Sequence, residues 1–318
     1  MDQAIAHPKT LGRRDIVLFT VSAILLLDTL AAGATVGASS VFWWIFLGIV
    51  FFVPYALICS EMGTTYPEQG GLYAWVRNAF GRRWASRATW AYWVNTSVWN
   101  PAIFILFAGI FSQMFMPDLS MASQIGIGIF LTWTTVVVNV VTLNVGKWIP
   151  NIGAIFKVIV MGAIILGAIN HTGLHGMANP LTLDTMTPAW GSSLQYISVI
   201  IYGMLGFELV SAGAKEMKNP ARDIPAGIFV SGLIIIVLYT AATIAILAAI
   251  PAAEINLVEG LMETLYLFFG QSEAGRLLAL VLGIAALYTF FSNGVTWALG
   301  CNRSMAEAAA EGEFPKIL

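Results

Sequence analysis

The chain has 318 residues, of which 58% are hydrophobic and only 10% charged. Soluble domains carry about 25% charged residues, so this composition, with a mean hydropathy of +0.81, indicates an all-α polytopic membrane protein and excludes a soluble enzyme. A net charge of −2 argues against nucleic acid as a partner. The two cysteines, Cys59 and Cys301, sit in or beside apolar segments and form neither a disulfide framework nor a metal motif.

Residues 1–15 form a polar, basic tail. The apolar run after it is too long for a signal h-region and reads as an uncleaved first span, although the small residues Ala31–Ala34 resemble a cleavage site. A span needs about 20 apolar residues. Eight such runs follow, near Ile16–Ala38, Ser40–Cys59, Ala85–Phe115, Ala122–Leu143, Ile149–Ile169, Ser192–Ala212, Ile224–Ile250 and Gly275–Gly300. The third is too long to stand upright and must tilt or leave the bilayer. Between the second and third spans, Pro67, Gly70 and Gly71 make a turn. Tyr73–Phe80 then carries aromatic and basic residues at helical spacing, as an interfacial helix does, and Asn256–Phe269 reads similarly on the other face. Trp43, Trp44, Trp84, Trp148 and Trp190, near span ends, read as interface belts. His7, His171 and His175 fall in tails or loops.

Under strict alternation, thirteen of the fifteen Lys and Arg fall on one side. The other side holds Arg276 with Asp118, Asp184, Glu254, Glu259, Glu263 and Glu273. The positive-inside rule then predicts a cytoplasmic N-terminus in the cell membrane. Three charges are left inside spans. Asp28 lies in the first, Lys157 in the fifth, and Glu208 in the sixth, just past Gly203, Leu205 and Gly206. A carboxylate at membrane depth costs about 2.5–3.5 kcal/mol on insertion scales, so its default reading is functional. Paired glycines beside Glu208 predict that the sixth helix unwinds there, as helices do around a transporter's substrate site. The bland alternative is a glycine-packed helix with a buried, protonated Glu. Gly33 and Gly37 in the first span have GxxxG spacing, which is also that of plain helix packing. Interrupted first and sixth spans, five apart, are the mark of an inverted repeat.

PEQGGLYAWVRNAFG after the second span, GFELVSAGAKEMKNPARDIP across the sixth and MAEAAAEGEFP after the eighth resemble the amino acid–polyamine–organocation superfamily of permeases. The resemblance is greatest to its bacterial antiporter-like branch of arginine/agmatine and glutamate/GABA exchangers. It covers nearly the whole chain in order. It implies a five-plus-five inverted-repeat transporter fold, usually of twelve spans, with the first repeat over residues 16–169, an extracellular loop over 170–191, a partial second repeat over 192–300 and a cytoplasmic segment over 301–318. Carried over by position, the first-span break falls near Leu27, Asp28 and Thr29, the third-span polar residue at Asn100 beside Tyr92, the sixth-span aromatic gate at Tyr202 and the eighth-span aromatic at Trp297. Lys157 matches the lysine of some proton-coupled members, at the place where sodium-coupled relatives hold an ion. The usual glycine–small–glycine break of the first span is replaced by LDTLAAGATVG, and an ionised Asp28 there would repel a carboxylate and attract an ammonium. The chain stops after eight spans and is expected to be a piece of a longer protein.

The expected function is secondary transport of amino acids or related amines by exchange or proton symport. Sodium-coupled symport is the nearest alternative, and an intramembrane enzyme or a non-transporting scaffold the distant ones. The sequence has no HExxH, GxSxG, TVGYG or GxxxxGK[ST] pattern. Expected partners are a small amino acid or amine, protons, the lipid bilayer and, as an open alternative, a second copy in a homodimer; no cofactor is expected. Bland readings stand beside the site residues. Tyr202 and Trp297 are also ordinary packing aromatics, Asn100 a donor to the carbonyl freed by Pro101, and Asp28 a neutral buried acid.

Overall fold

The computed structural model describes residues 9, 11–141, 147–188, 194–255 and 260–315. His7, Leu143, Trp190, Ser192, Asn256, Glu259 and Lys316 lie outside the described residues. Among the described residues, seven helices are long and apolar enough to cross a membrane: Ser39–Thr65, Arg82–Phe115, Met121–Val140, Trp148–His175, Ile197–Glu216, Pro220–Ala249 and Glu273–Ala310. The pair Arg13–Ile24 and Leu27–Ala34, bent by 45° at its break, passes the same test together and, taken as one span, is the first in chain order and brings the total to eight among the described residues. The described residues contain no strand beyond one bridge between Leu11 and Met217. The chain is thus a multi-pass membrane protein with the all-α architecture its hydropathy pattern predicts.

Two spans outrun the bilayer. The third, Arg82–Phe115, has 34 residues, about 51 Å at 1.5 Å per residue against a core of about 30 Å. The eighth, Glu273–Ala310, has 38 and continues ten residues past Gly300, where a span end was expected. MAEAAAEGEF therefore begins inside a helix.

The excess length serves the basic face, where the three motifs meet. Gly70 and Gly71 have positive φ, at 89° and 46°. A Cβ at Gly71 would lie 2.8 Å from the Ala212 amide nitrogen, so only glycine lets this turn touch the sixth span's backbone. The Gly70 N–H donates to the Ala212 carbonyl at 3.2 Å, and Ser304 donates to the Gly70 carbonyl at 2.8 Å. Ion pairs surround this knot. Arg77 binds Glu68 and Glu311, Arg82 binds Glu313, Lys215 binds Glu307, and Arg303 binds Glu216. Partial burial acts to raise Glu68's pKa, but donors from Asn78 and Arg77 outweigh it and hold the carboxyl below its ordinary value.

Several expectations change. Tyr73, Ala74 and Trp75 in the helix Leu72–Phe80 are buried, Tyr73 against Ala85 and Ala308, whereas Asn78, Ala79 and Phe80 are exposed, so one face of this helix is covered by protein. The helix Gly260–Phe269 likewise buries Met262, Leu265 and Phe268. Trp84 and Trp148 are exposed, as belt residues are, but Trp43 and Trp44 belong to the core. Trp44 stacks on Tyr239, with ring centroids 4.4 Å apart. His171 and His175 lie near the end of the fifth-span helix, not in a loop.

The sixth span breaks as expected. Helix Leu194–Tyr202 ends, residues 203–206 turn, and a 3-10 helix runs from Phe207 to Glu216. The first span breaks slightly earlier than expected. Leu25 and Leu26 are extended, whereas Leu27, Asp28 and Thr29 form the first turn of its second half. The two breaks pack on each other. A Cβ at Gly203 would collide with the Thr29 side chain, and one at Gly206 would lie 2.9 Å from Ile24 Cγ1. Gly206 also has φ +135°, where a side chain is strained. Gly206→Ala should therefore lower the midpoint of thermal unfolding. Gly162→Ala, at a helical glycine with nothing within 4 Å, should leave it unchanged or raise stability by about 0.5–1 kcal/mol. Equal midpoints for the two variants would show that the breaks tolerate a side chain.

Candidate functional site

A helix interrupted at membrane depth exposes carbonyls and N–H groups that lipid cannot satisfy, each at a cost of several kcal/mol. In the first span, side chains from three other spans take up these groups. The Lys157 ammonium, from the fifth, donates to the Ser22 carbonyl at 2.6 Å. The Trp297 indole, from the eighth, donates to the Ala23 carbonyl at 2.9 Å. The Tyr239 hydroxyl, from the seventh, donates to the Ile24 carbonyl at 2.8 Å and accepts from the Leu26 N–H at 2.7 Å. Three successive carbonyls are thus capped.

Lys157 is 1% exposed and also donates to Asn293 Oδ1 at 3.2 Å. It lies beside the first-span break, as the family resemblance implies, with the Ser22 backbone carbonyl as partner. Lys157 and Asp28 line one tight gap, without room for a water molecule, with Asn293, Thr289 and Ile103, but form no ion pair within 4 Å. Asp28 is the second residue of the half-helix Leu27–Ala34, and its carboxyl faces the N–H groups of Asp28 and Thr29. A helix N-terminus favours negative charge there. Asp28 Oδ1 is buried without a donor, and so is Asn293 Nδ2 without an acceptor.

Glu208 sits in the first turn of the 3-10 helix and accepts from two phenols. Tyr92 of the third span donates at 2.8 Å, and Tyr55 of the second span donates to the other oxygen. The Tyr55 oxygen also accepts from the Gly206 N–H at 3.1 Å, so one side chain serves both break and carboxyl. Trp297 packs near Tyr92 and Trp99, at centroid distances of 6.3 and 5.8 Å. Tyr202, the last helical residue before the sixth-span break, is 40% exposed and approaches the Asn95 side chain. Leu205 is partly buried in the turn itself. Asn100 donates weakly to the Gly294 carbonyl of the eighth span at 3.4 Å, not to a carbonyl freed by Pro101, and its Oδ1 has no donor.

The structure thus gathers Asp28, Lys157, Trp297, Gly203, Gly206, Tyr92 and Glu208 around the two breaks. Asn100 lies two turns beyond Tyr92 along the third span. Sequence reading missed Tyr55, Tyr239 and Asn293. The available signal was polar groups inside apolar spans, with Tyr55 following Pro54 and a π-helical turn, Gly48–Phe52. On the acidic face, a cavity of about 250 Å³ has Leu27 in its wall together with Glu254 and Glu263. Leu27 also lines the gap at Asp28.

Tyr239→Phe should leave the Ile24 carbonyl and Leu26 N–H without their partner, at a cost of about 1–3 kcal/mol for each buried group. Thermal unfolding in detergent measures this, and an unchanged midpoint would show that the cap is dispensable.

A family model described as amino acid permease matches residues 11–318. A probable agmatine/putrescine antiporter of Lactococcus lactis is 34% identical over 304 residues, covering 95% of this chain and 64% of the relative. An uncharacterized transporter of Legionella pneumophila is 29% identical, over 97% of this chain and 68% of its own length. An aspartate/glutamate permease of Lactococcus lactis is 29% identical over 61% of this chain and 42% of its own. The chain therefore spans about two thirds or less of the length of these relatives.

Proposed function

Since the chain belongs to the amino acid permease family, we propose that it is a secondary transporter moving amino acids or related amines by alternating access. The observation that carries this reading is the contact between two broken spans, with Asp28, Lys157 and Glu208 gathered at the breaks. Unwound backbone at membrane depth offers a substrate what intact helices do not: directed polar groups away from water. The relatives named as antiporter and permease support transport as the activity.

In this reading the basic face is cytoplasmic, the membrane is the cell membrane, and the N-terminus lies inside. The substrate contacts Asp28, Thr29, Tyr202, Gly203, Leu205 and Gly206 at the breaks, with Leu27, Tyr92, Asn100 and Trp297 completing the walls. Tyr202 covers it from the sixth span. Exchange or proton symport follows from the groups able to hold a proton. Lys157 caps a break carbonyl only through its donors, and Glu208 is held by two phenols. Because the Lys157 ammonium already occupies the Ser22 carbonyl, proton coupling is favoured over sodium coupling.

Counterflow by the full-length protein in liposomes, with radiolabelled amino acids and amines, tests the reading. Accumulation of at least one is expected, and none from a well-folded sample would sink it. Tyr202→Ala should weaken substrate binding by about 2- to 30-fold, the value of a cation–π contact of roughly 0.5–2 kcal/mol, whereas Tyr202→Phe should not. Glu208→Gln should flatten the pH dependence of transport; an unchanged profile would remove Glu208 from coupling. Uptake driven by a pH gradient should fail in Lys157→Ala. If it persists in a stable variant, Lys157 only staples two spans.

A further inference from the structure

We propose that the groove between the second and seventh spans holds one acyl chain of a phospholipid with a primary-amine head, its phosphate on Arg222 and its ammonium on Glu61. The site faces lipid, apart from the two breaks, and does not depend on the transport reading.

The spans Ser39–Thr65 and Pro220–Ala249 lie side by side, and two close approaches fix their register. A Cβ at Gly48 would lie 2.9 Å from Ile236 Cδ1, and one at Gly63 would lie 3.2 Å from Ile224 Cγ2. Between these points the spans part around a groove of about 590 Å³. Small side chains give it its width: Gly48, Ala56, Ser60 and Gly232. Leu57, Phe229 and Leu233 stand exposed along it. The π-helical turn Gly48–Phe52 forms part of one wall, and Phe52 and Phe207, with ring centroids 4.7 Å apart, back it. Ser60 is the one polar side chain in the lining. From Pro225 to Ile236 the groove runs about 16 Å at 1.5 Å per residue, roughly half of a hydrocarbon core of about 30 Å. Its depth is therefore that of one leaflet. Left unfilled, its walls would lose dispersion contacts that a hydrocarbon chain restores.

The polar end of the groove identifies the occupant. Helical spacing places Glu61 one turn past Leu57 and Arg222 one turn before Pro225. Both side chains therefore reach the same end, on the basic face, from opposite rims. Both are exposed, and among the described residues neither forms an ion pair. The neighbouring Asp223 is committed to Arg13 at 3.5 Å. A further span or a second copy laid in the groove would cover two unpaired charges, and their desolvation opposes it. A lipid head brings an opposite charge to each. A phosphate accepts from the Arg222 guanidinium, as lipid phosphates do at basic pockets between spans. A primary ammonium donates to the Glu61 carboxylate. A choline head has no N–H to donate, and a glycerol head has no positive charge.

The test offers the full-length protein bilayers of ethanolamine, choline and glycerol phospholipids in equal amounts, with identical acyl chains. Lipid kept by each chain after extraction in detergent is counted by native mass spectrometry. One ethanolamine lipid per chain is expected, favoured about fivefold or more over either of the others. Glu61→Gln should bring ethanolamine and choline lipids level, and Arg222→Ala should lower retention of both. Ala56→Phe fills the groove without touching either charge, and should displace the lipid. If that variant does not fold, the natural protein and the two surface variants decide alone. Retention in bulk proportions, no retention, or a preference unchanged in both charge variants overturns the proposal. A disulfide between copies in Leu233→Cys would assign the groove to a second copy and overturn it as well.

Discussion

Satisfying the backbone inside the membrane is the constraint on which this structure depends. A hydrated loop can leave its carbonyls to water, but a break at the centre of a bilayer cannot. Ser22, Ala23 and Ile24 each find a donor on a different span, so the first span cannot be placed without the fifth, eighth and seventh. The sixth span is tied in through Tyr55, which holds the Gly206 N–H and Glu208 together. The architecture is therefore cooperative around one point. The polar residues that look costly in apolar spans offset a larger cost, that of unpaired peptide groups in a medium of low dielectric.

Much of this was legible from residue order. Span number and the sixth-span break at Gly203 and Gly206 follow from apolar run length and from glycine, which are local properties. The place of Lys157 beside the first-span break came from the family resemblance, and the chemistry agrees with it, since a buried ammonium needs an acceptor and a broken helix supplies carbonyls. The exact break was less legible. Leu25 and Leu26 carry no breaker residue, and they leave the helix because the Tyr239 hydroxyl bridges Ile24 and Leu26 across the gap. That cap comes from more than 200 positions away, and a window along the chain cannot detect it.

The tryptophans and the helix Leu72–Phe80 show a second limit. Amphipathic spacing reports that one face avoids water, not whether lipid or protein covers it. Trp44 found Tyr239 and Gly33, and Tyr73 found the extended end of the eighth span. The same ambiguity hid that extension, because Ala-rich sequence past Gly300 supports a helix equally well in membrane or water. Recognising MAEAAAEGEF as a separate motif concealed its continuity with the span before it.

The two regions that hold the spans together differ in strength for a physical reason. The basic face is closed by ion pairs among partly exposed side chains, such as Lys215 with Glu307 at 3.6 Å and Arg303 with Glu216 at 2.7 Å. Contacts of this kind contribute about 0–1 kcal/mol each and are screened by salt. The caps at the breaks are buried, and their loss strands peptide groups that water does not reach. A molecule built this way can release its face without disturbing its centre. On the transport reading proposed above, the side chains gripping the breaks would serve as the fixed part of the molecule, and the contacts of low individual cost on the surface as the part that opens and reforms.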